Sequence, residues 1–400
     1  MKNYTAFFAG RSKDLKGSEI GELLKEVRKG GFISFAAGVP DPALFPVKGL
    51  RCAADAVISE DGARIFQYGE PRGDRNLRAH LTRIMKDRYG IEATEENVLL
   101  TSGSMQCIDL CTRLFIDEGD VVLVESPTFT DAMNTLGFTG GRIVGMECDG
   151  DGPIPELLEA QLQATERVKA IYVITDFRNP TGTSWSVERR TEILRIASKY
   201  DVLIFEDNPY GDVSFTGEHA TALYALDTES RVIFMGSLSK TLSPGIRIGW
   251  LTASATLIDS LVLVKERTDV HSSIPDQATV GRFMDICSYD AHVKFIGDVY
   301  GDRAEAMAEA IRMYLPEWSF RMPGGGFFLW VSLPEGQDSM AFFQYAMEER
   351  VAVVPGNAFY PDKRVSSELR LNFTGVSREQ IEEGVMKLAK AYEDFCSERA

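Results

Sequence analysis

Short apolar runs rich in valine and isoleucine recur through the middle of the chain, at 98–101, 121–125, 170–175, 202–206, 232–236 and 248–252. They are apolar throughout rather than alternating, so they predict strands buried on both faces. Helical patterns lie between several of them. Ile108, Leu110, Leu114 and Phe115 form one apolar stripe, and Ile193, Leu194, Ile196 and Ala197 form another. Strands alternating with helices in this way predict an α/β domain with a mostly parallel sheet covered by helices.

The C-terminal part has a different rhythm. A long helical stretch runs through about 290–314, followed by Pro323-Gly-Gly-Gly326 and an apolar strand over 327–333. A helix around 339–349, strands near 351–354 and 368–373, and a final helix from Ser377 complete it. Ser377 is a plausible N-cap, and Gln380 three residues on completes a capping box. This predicts a smaller α+β domain. An amphipathic helix carrying Ile20, Leu23, Leu24 and Val27 is expected to pack with it. The chain thus divides into a large domain over 45–285 and a small domain built from both ends, 1–44 and 286–400. The second boundary falls in a helical region, 255–300, where no linker composition marks it.

Composition narrows the classes of function. The 400 residues are 44% hydrophobic and 26% charged, which excludes disorder and a disulfide-stapled scaffold. Lysine and arginine total 43 against 59 acidic residues, a net charge of −16, so nucleic acid is not expected as a partner. The six cysteines form no CxxC pair, which suggests a reducing compartment. Cys107 and Cys111, four apart, fit one helix face as packed thiols or, less simply, as ligands. The four histidines form no HxxxH or HxH, so no metal site is expected. The first residues carry no apolar signal core, and no apolar run nears the ~18 residues that span a bilayer. A cytoplasmic protein away from membranes is the expectation.

In open parallel sheets, ligands gather beyond the carboxyl ends of the strands. Four such places carry unusual polar residues. After 98–101 comes Ser102-Gly-Ser-Met-Gln106, either an ordinary helix cap or an anion site of free N–H groups. After 170–175 comes Asn179-Pro-Thr-Gly182, a turn whose asparagine amide could donate to a ligand oxygen. After 202–206 comes Asp207, with Tyr210 three residues on. A buried aspartate is costly unless a structural partner or a cationic ligand nitrogen satisfies it. After 232–236 comes Ser237-Leu-Ser-Lys240, with Arg247 seven residues further. A lone lysine is usually a solvated charge, but here the serines and arginine can hold a phosphate dianion. Burial beside a cation would also make the lysine a neutral nucleophile near physiological pH. One ligand suits all four places: pyridoxal phosphate, with its phosphate, protonatable ring nitrogen, phenolic oxygen and aldehyde.

With these motifs the chain resembles the fold-type I pyridoxal-phosphate enzymes, and among them the class I/II aminotransferases of the 2-aminoadipate and kynurenine group. The resemblance runs over nearly the whole chain. It is carried by Phe35-Ala-Ala-Gly-Val-Pro-Asp41, Gln67-Tyr-Gly69, Pro71-Arg-Gly73, Thr101-Ser-Gly-Ser104, Asn179-Pro-Thr-Gly182, Asp207-Asn-Pro-Tyr210, Ser237-Leu-Ser-Lys240, Pro244-Gly-Ile-Arg247 and Leu369-Arg-Leu371. It implies that Lys240 forms the Schiff base with pyridoxal 5'-phosphate and then moves the proton at the substrate Cα. It implies that Asp207 pairs with the ring nitrogen, and that Asn179 and Tyr210 donate to the ring oxygen. Ser104, Ser237, Ser239 and Arg247 would hold the phosphate together with a backbone N–H of Met105. Arg370 would grip the substrate α-carboxylate, and Gly38 would help close the site. Tyr68 would reach the phosphate of a partner subunit, which implies a homodimer with shared sites.

Two positions depart from the family pattern. Phe129 stands where the ring-stacking residue is often tyrosine, and Met105 replaces a glutamine. Arg178, before Asn179, is read either as a surface charge or as a bias toward acidic side chains. The expected reaction is transfer of an amino group from an L-amino acid of 2-aminoadipate, aromatic or branched-chain type to a 2-oxo acid such as 2-oxoglutarate. A β-lyase or decarboxylase on the same cofactor, and a sensor that binds it without turnover, are the alternatives. Tyr4, Phe7, Phe8, Phe32 and Phe35 would line a pocket for a bulky side chain or pack the small domain. Arg11 is a candidate partner for a distal carboxylate by position alone.

Overall fold

The computed structural model describes residues 4–12, 27 and 30–398. Its largest sheet contains β2 (Val98–Thr101), β3 (Val121–Ser126), β4 (Arg142–Asp149), β5 (Gly152–Pro153), β6 (Val168–Val173), β7 (Leu203–Asn208), β8 (Val232–Ser237) and β9 (Gly249–Thr252). Their spatial order is β2-β9-β8-β7-β6-β3-β4-β5. The pairs β8–β7, β7–β6, β6–β3 and β3–β4 are parallel. β9 runs antiparallel to both of its neighbours, so β2 points the same way as the parallel core. Successive side chains enter opposite cores, as the strand period requires. Val122, Val124, Tyr172, Phe205 and Met235 enter one, and Val121, Leu123, Ile171 and Ile204 enter the other. This is the covered, mostly parallel sheet that the apolar runs predicted.

The differences from the sequence reading have local causes. β6 ends at Val173, short of the predicted 175, because the Ile174 N–H leaves the ladder and donates to the Glu125 carboxylate at 2.9 Å. β7 runs on to Asn208 because β8 offers it a partner there, in the register Asn208↔Gly236. β4 was not among the predicted strands. It lies near the sheet edge and is mostly half-exposed, so Arg142, Glu147 and Asp149 interrupt any apolar run.

The second part holds an antiparallel sheet in the order β10-β11-β14-β13. It comprises β10 (Ser319–Phe320), β11 (Phe328–Ser332), β13 (Val354–Pro355) and β14 (Glu368–Asn372). The predicted strand at 351–354 is divided. Its first half, β12 (Val351–Ala352), pairs in parallel with β1 (Ile33–Ser34), so the N-terminal region does join the C-terminal part. Helices Tyr289–Tyr314, Ser339–Glu348 and Arg378–Ser397 match their expected places. Ser377 caps the last one, with Gln380 closing the capping box. Cys107 and Cys111 are buried in the core. Of the expected N-terminal helix, only Val27 lies within the described residues, against the cluster of Ala36, Val354 and Phe359. No helix among the described residues is long and apolar enough to cross a membrane.

Candidate active site

The carboxyl ends of β2, β3, β6, β7 and β8 open on one side of the large sheet. A cavity of about 340 Å³ lies there, closed from above by Gly38, Phe328 and Arg370. Of the residues assigned to the cofactor or the substrate α-carboxylate from the sequence, all line this cavity except Tyr68.

Lys240 sits in the turn after β8. Its Nζ donates to the Gly38 carbonyl at 3.0 Å and lies 5.8 Å from the centre of the Tyr210 ring. Burial, with help from the Arg370 and Arg247 cations, lowers its pKa to about 8, while Asp207 works in the opposite direction. A lysine in this state has a substantial neutral fraction near physiological pH.

Asp207 ends β7 and is 1% exposed. Its Oδ2 accepts a hydrogen bond from the Tyr172 hydroxyl at 2.7 Å, whereas Oδ1 has no partner among the described residues. Burial raises its pKa to about 6, and the Tyr172 bond and Lys240 restrain the rise. Both readings of this aspartate hold in part: one oxygen has a structural partner, and the other is left for a ligand.

Arg370 comes from β14, between Trp330 and Val354 in register. Its guanidinium donates to Asn179 Oδ1 at 2.9 Å and to the Ala36 carbonyl at 2.7 Å. It stacks on Phe328 and Phe359, at 4.3 and 4.9 Å from the ring centres. Burial lowers its pKa to about 10, and its Nε is buried without a partner among the described residues. Tyr210 packs edge-on against Phe327 and Phe328, and burial pushes its phenol well up.

At the other end, Gly103 precedes helix Ser104–Phe115 at φ +83°, with no side-chain cap on its first N–H groups. Arg247 lies along this glycine, and its Nη2 donates to the Ser102 carbonyl at 2.8 Å. A Cβ on Gly103 would strike the guanidinium, and one on Gly249 would come within 2.6 Å of the Gly103–Ser104 peptide. The two glycines therefore let Arg247 and β9 pack directly against the start of this helix, where Ser104, Ser237, Ser239 and Arg247 all line the cavity.

Other expectations need correction. Arg178 is 3% exposed, so it is not a surface charge, and it does not line the cavity. It donates to Glu125 at 2.9 Å and to the Asp149 carbonyl at 3.1 Å, because a buried carboxylate at the end of β3 requires a cation. None of Tyr4, Phe7, Phe8, Phe32 and Phe35 lines the cavity. Phe35 is fully buried and Phe32 packs against the cluster of Ala36, Val354 and Phe359, as the packing reading expected, whereas Tyr4, Phe7 and Phe8 are exposed. Arg11 lies over the Phe138 ring at 5.9 Å rather than in the cavity wall. Tyr68 is 80% exposed, its ring edge-on to His271. Sequence reasoning missed Ile174, Thr130, Asp131 and Phe328 in the wall, and Tyr172 behind it. The signal for Tyr172 was a hydroxyl inside an otherwise apolar run.

Residues 32–388 match the family model described as aminotransferase class I and II. The chain belongs to this family. It is 36% identical to the aromatic-amino-acid aminotransferase 1 of Thermococcus litoralis, over 98% of this chain and 95% of that protein. The crystal structure of kynurenine aminotransferase from Pyrococcus horikoshii, in complex with PMP, superimposes with a TM-score of 0.93 at 35% identity, covering 97% of each chain. The α-aminoadipate aminotransferase of Thermus thermophilus, complexed with N-(5'-phosphopyridoxyl)-L-leucine, gives 0.90 at 31% identity, covering 99% of this chain and 100% of that one.

The protein is therefore a pyridoxal-phosphate-dependent aminotransferase acting on amino and oxo acids. The cavity fits that cofactor on its own terms. It offers a lysine amine, a carboxylate oxygen unpartnered among the described residues, a helix start without a side-chain cap beside three serines and an arginine, and an aromatic ring in Phe129.

Proposed function

We propose that this aminotransferase takes amino groups from L-amino acids of the 2-aminoadipate, aromatic and branched-chain types and passes them to a 2-oxo acid such as 2-oxoglutarate. The observation that carries the reading is the unpartnered Oδ1 of Asp207 in the wall of the cavity that holds the Lys240 amine. When bound, pyridoxal phosphate supplies an electron sink for the negative charge that develops on the substrate Cα. Asp207 keeps the ring nitrogen protonated. Asn179 and Tyr210 donate to the ring oxygen, and Phe129 stacks on the ring. Ser104, Ser237, Ser239, Arg247 and the Met105 N–H hold the phosphate. Lys240 would anchor the cofactor, and its amine would carry the proton to and from the substrate Cα. Arg370 binds the α-carboxylate through its planar fork, with Gly38 closing over it. A carboxylate held in this way is kept rather than lost, which disfavours decarboxylation.

The chain divides into a large cofactor domain over 45–285 and a small domain from 1–44 and 286–400. The separation of the two sheets and the β1–β12 pairing support this division. The working unit is a homodimer: Tyr68, outside its own cavity and exposed, reaches the phosphate site of the partner. The protein works in the cytoplasm, in keeping with its free thiols.

A panel of amino donors added to the loaded enzyme tests the reading. Aromatic, branched-chain and 2-aminoadipate donors are expected to convert the cofactor to its amine form, read by loss of its visible absorbance. If no donor does so, or if the cofactor returns unchanged after an amino acid is consumed, transamination is wrong for this site.

A further inference from the structure

We propose that Tyr172 is a positioning residue for the cofactor: its hydroxyl holds one oxygen of Asp207 so that the other meets the ring nitrogen as a carboxylate. This rests on the reading that Asp207 pairs with that nitrogen.

The geometry is set by the sheet. Tyr172 pairs in register with Phe205 on the neighbouring strand, and Asp207 lies two residues beyond Phe205 on the same face. Two residues of strand cover ~6.6 Å, about the reach of a phenol side chain. An aromatic hydroxyl at 172 therefore arrives at the aspartate from below, and Tyr172 Oη does so at 2.7 Å. A serine or threonine at this position is too short to do the same.

The bond also lacks substitutes. Tyr172 is fully buried and Asp207 is 1% exposed, so water does not replace it. Lys240, Tyr210 and Cys107 are the other charged or titratable groups that feel Asp207. None of them donates to it, and the Cys107 sulfur is instead 3.1 Å from Thr101 Oγ1. Among the described residues, Tyr172 is the one hydrogen-bond donor to this carboxylate. A donor to an ionised oxygen favours the charged form, whereas burial favours the neutral one. Without the hydroxyl the Oδ2 oxygen is buried and bare, and the proton shared between Oδ1 and the ring nitrogen moves toward the carboxylate.

A purely structural tyrosine predicts something different, namely lower stability with an unchanged cofactor. The test uses holoenzyme loaded with ¹⁵N-labelled pyridoxal phosphate, following the ring-nitrogen resonance against pH in wild type, Tyr172→Phe and Asp207→Asn. Tyr172→Phe is expected to move the ring-nitrogen resonance toward its unprotonated position at neutral pH, with affinity of the apoenzyme for pyridoxal phosphate about tenfold weaker. Site-specific 3-fluorotyrosine at 172, a stronger donor that keeps the packing, is expected to shift the resonance the other way. It decides the matter even if Tyr172→Phe folds poorly. Wild-type titration and affinity in both Tyr172 variants, with Asp207→Asn impaired, would overturn the role of Tyr172. An unimpaired Asp207→Asn would instead overturn the reading of Asp207 beneath it.

Discussion

Lys240 shows how a single residue acquires its chemistry from its surroundings. A solvated lysine is almost wholly protonated at neutral pH and cannot attack an aldehyde. Burial and two nearby guanidinium groups bring this one to about 8, while Asp207 prevents a deeper fall. The sign of the resulting pH dependence follows. Below that value the amine carries a proton; above it the amine is free. The rate at which apoenzyme takes up pyridoxal phosphate should therefore climb as pH rises through about 8 and then level off. Stopped-flow absorbance would show this, and Lys240→Ala should lack the climb. The chemical identity of Lys240, Asp207, Asn179, Arg247 and Arg370 was legible in the sequence, because each stands at a fixed distance after an apolar run or inside a compact motif. The partners of those residues were not. Tyr172 meets Asp207 across a strand pairing, and Arg178 meets Glu125 across 53 positions, so no local pattern announces either contact.

At the scale of elements, the loop after β6 depends on a buried ion pair. Arg178 and Glu125 are 3% and 1% exposed in their side chains, and Glu125 also accepts from Trp185 Nε1 at 3.0 Å and from the Ile174 N–H. Together these bonds fasten the end of β3 to both ends of the segment carrying Asn179. Removing one partner leaves a buried charge without its counter-ion. Arg178→Ala is thus expected to lower stability by about 3–5 kcal/mol in urea unfolding. The double replacement Arg178→Met with Glu125→Leu should recover much of that loss, since an apolar pair carries no desolvation penalty. A loss below about 1 kcal/mol for the single variant would mean that the pair does not hold the loop. The strands of the parallel core were legible as apolar runs because they are buried on both faces. β4 was not, because an element near the sheet edge has one face in contact with solvent and needs no such run.

For the whole molecule, the net charge of −16 surrounds a site built for anions. Arg247 and Arg370 both line the cavity at the carboxyl ends of the strands, where we propose that a phosphate and a carboxylate bind. Overall charge therefore says little about the ligand. The proposed homodimer rests on Tyr68, which is 80% exposed and does not line the cavity of its own chain. If it completes the site of a partner, Tyr68→Phe should weaken cofactor binding about tenfold without changing the stability of the fold. In mixed dimers of Tyr68→Phe and Lys240→Ala subunits, one of the two sites should then combine both defects while the other keeps neither. Titration of such mixtures with pyridoxal phosphate reads this directly. Equal affinity in Tyr68→Phe and wild type would contradict a shared site.

The central claim is that Lys240 carries pyridoxal phosphate and gives it up when an amino acid reacts. Borohydride reduction of the holoenzyme followed by peptide mass analysis tests it most directly. The phosphopyridoxyl mass should appear on the peptide containing Lys240, and it should vanish when an aromatic or 2-aminoadipate donor is added before reduction. A label on another lysine, or one that persists on Lys240 after every donor, would contradict the account.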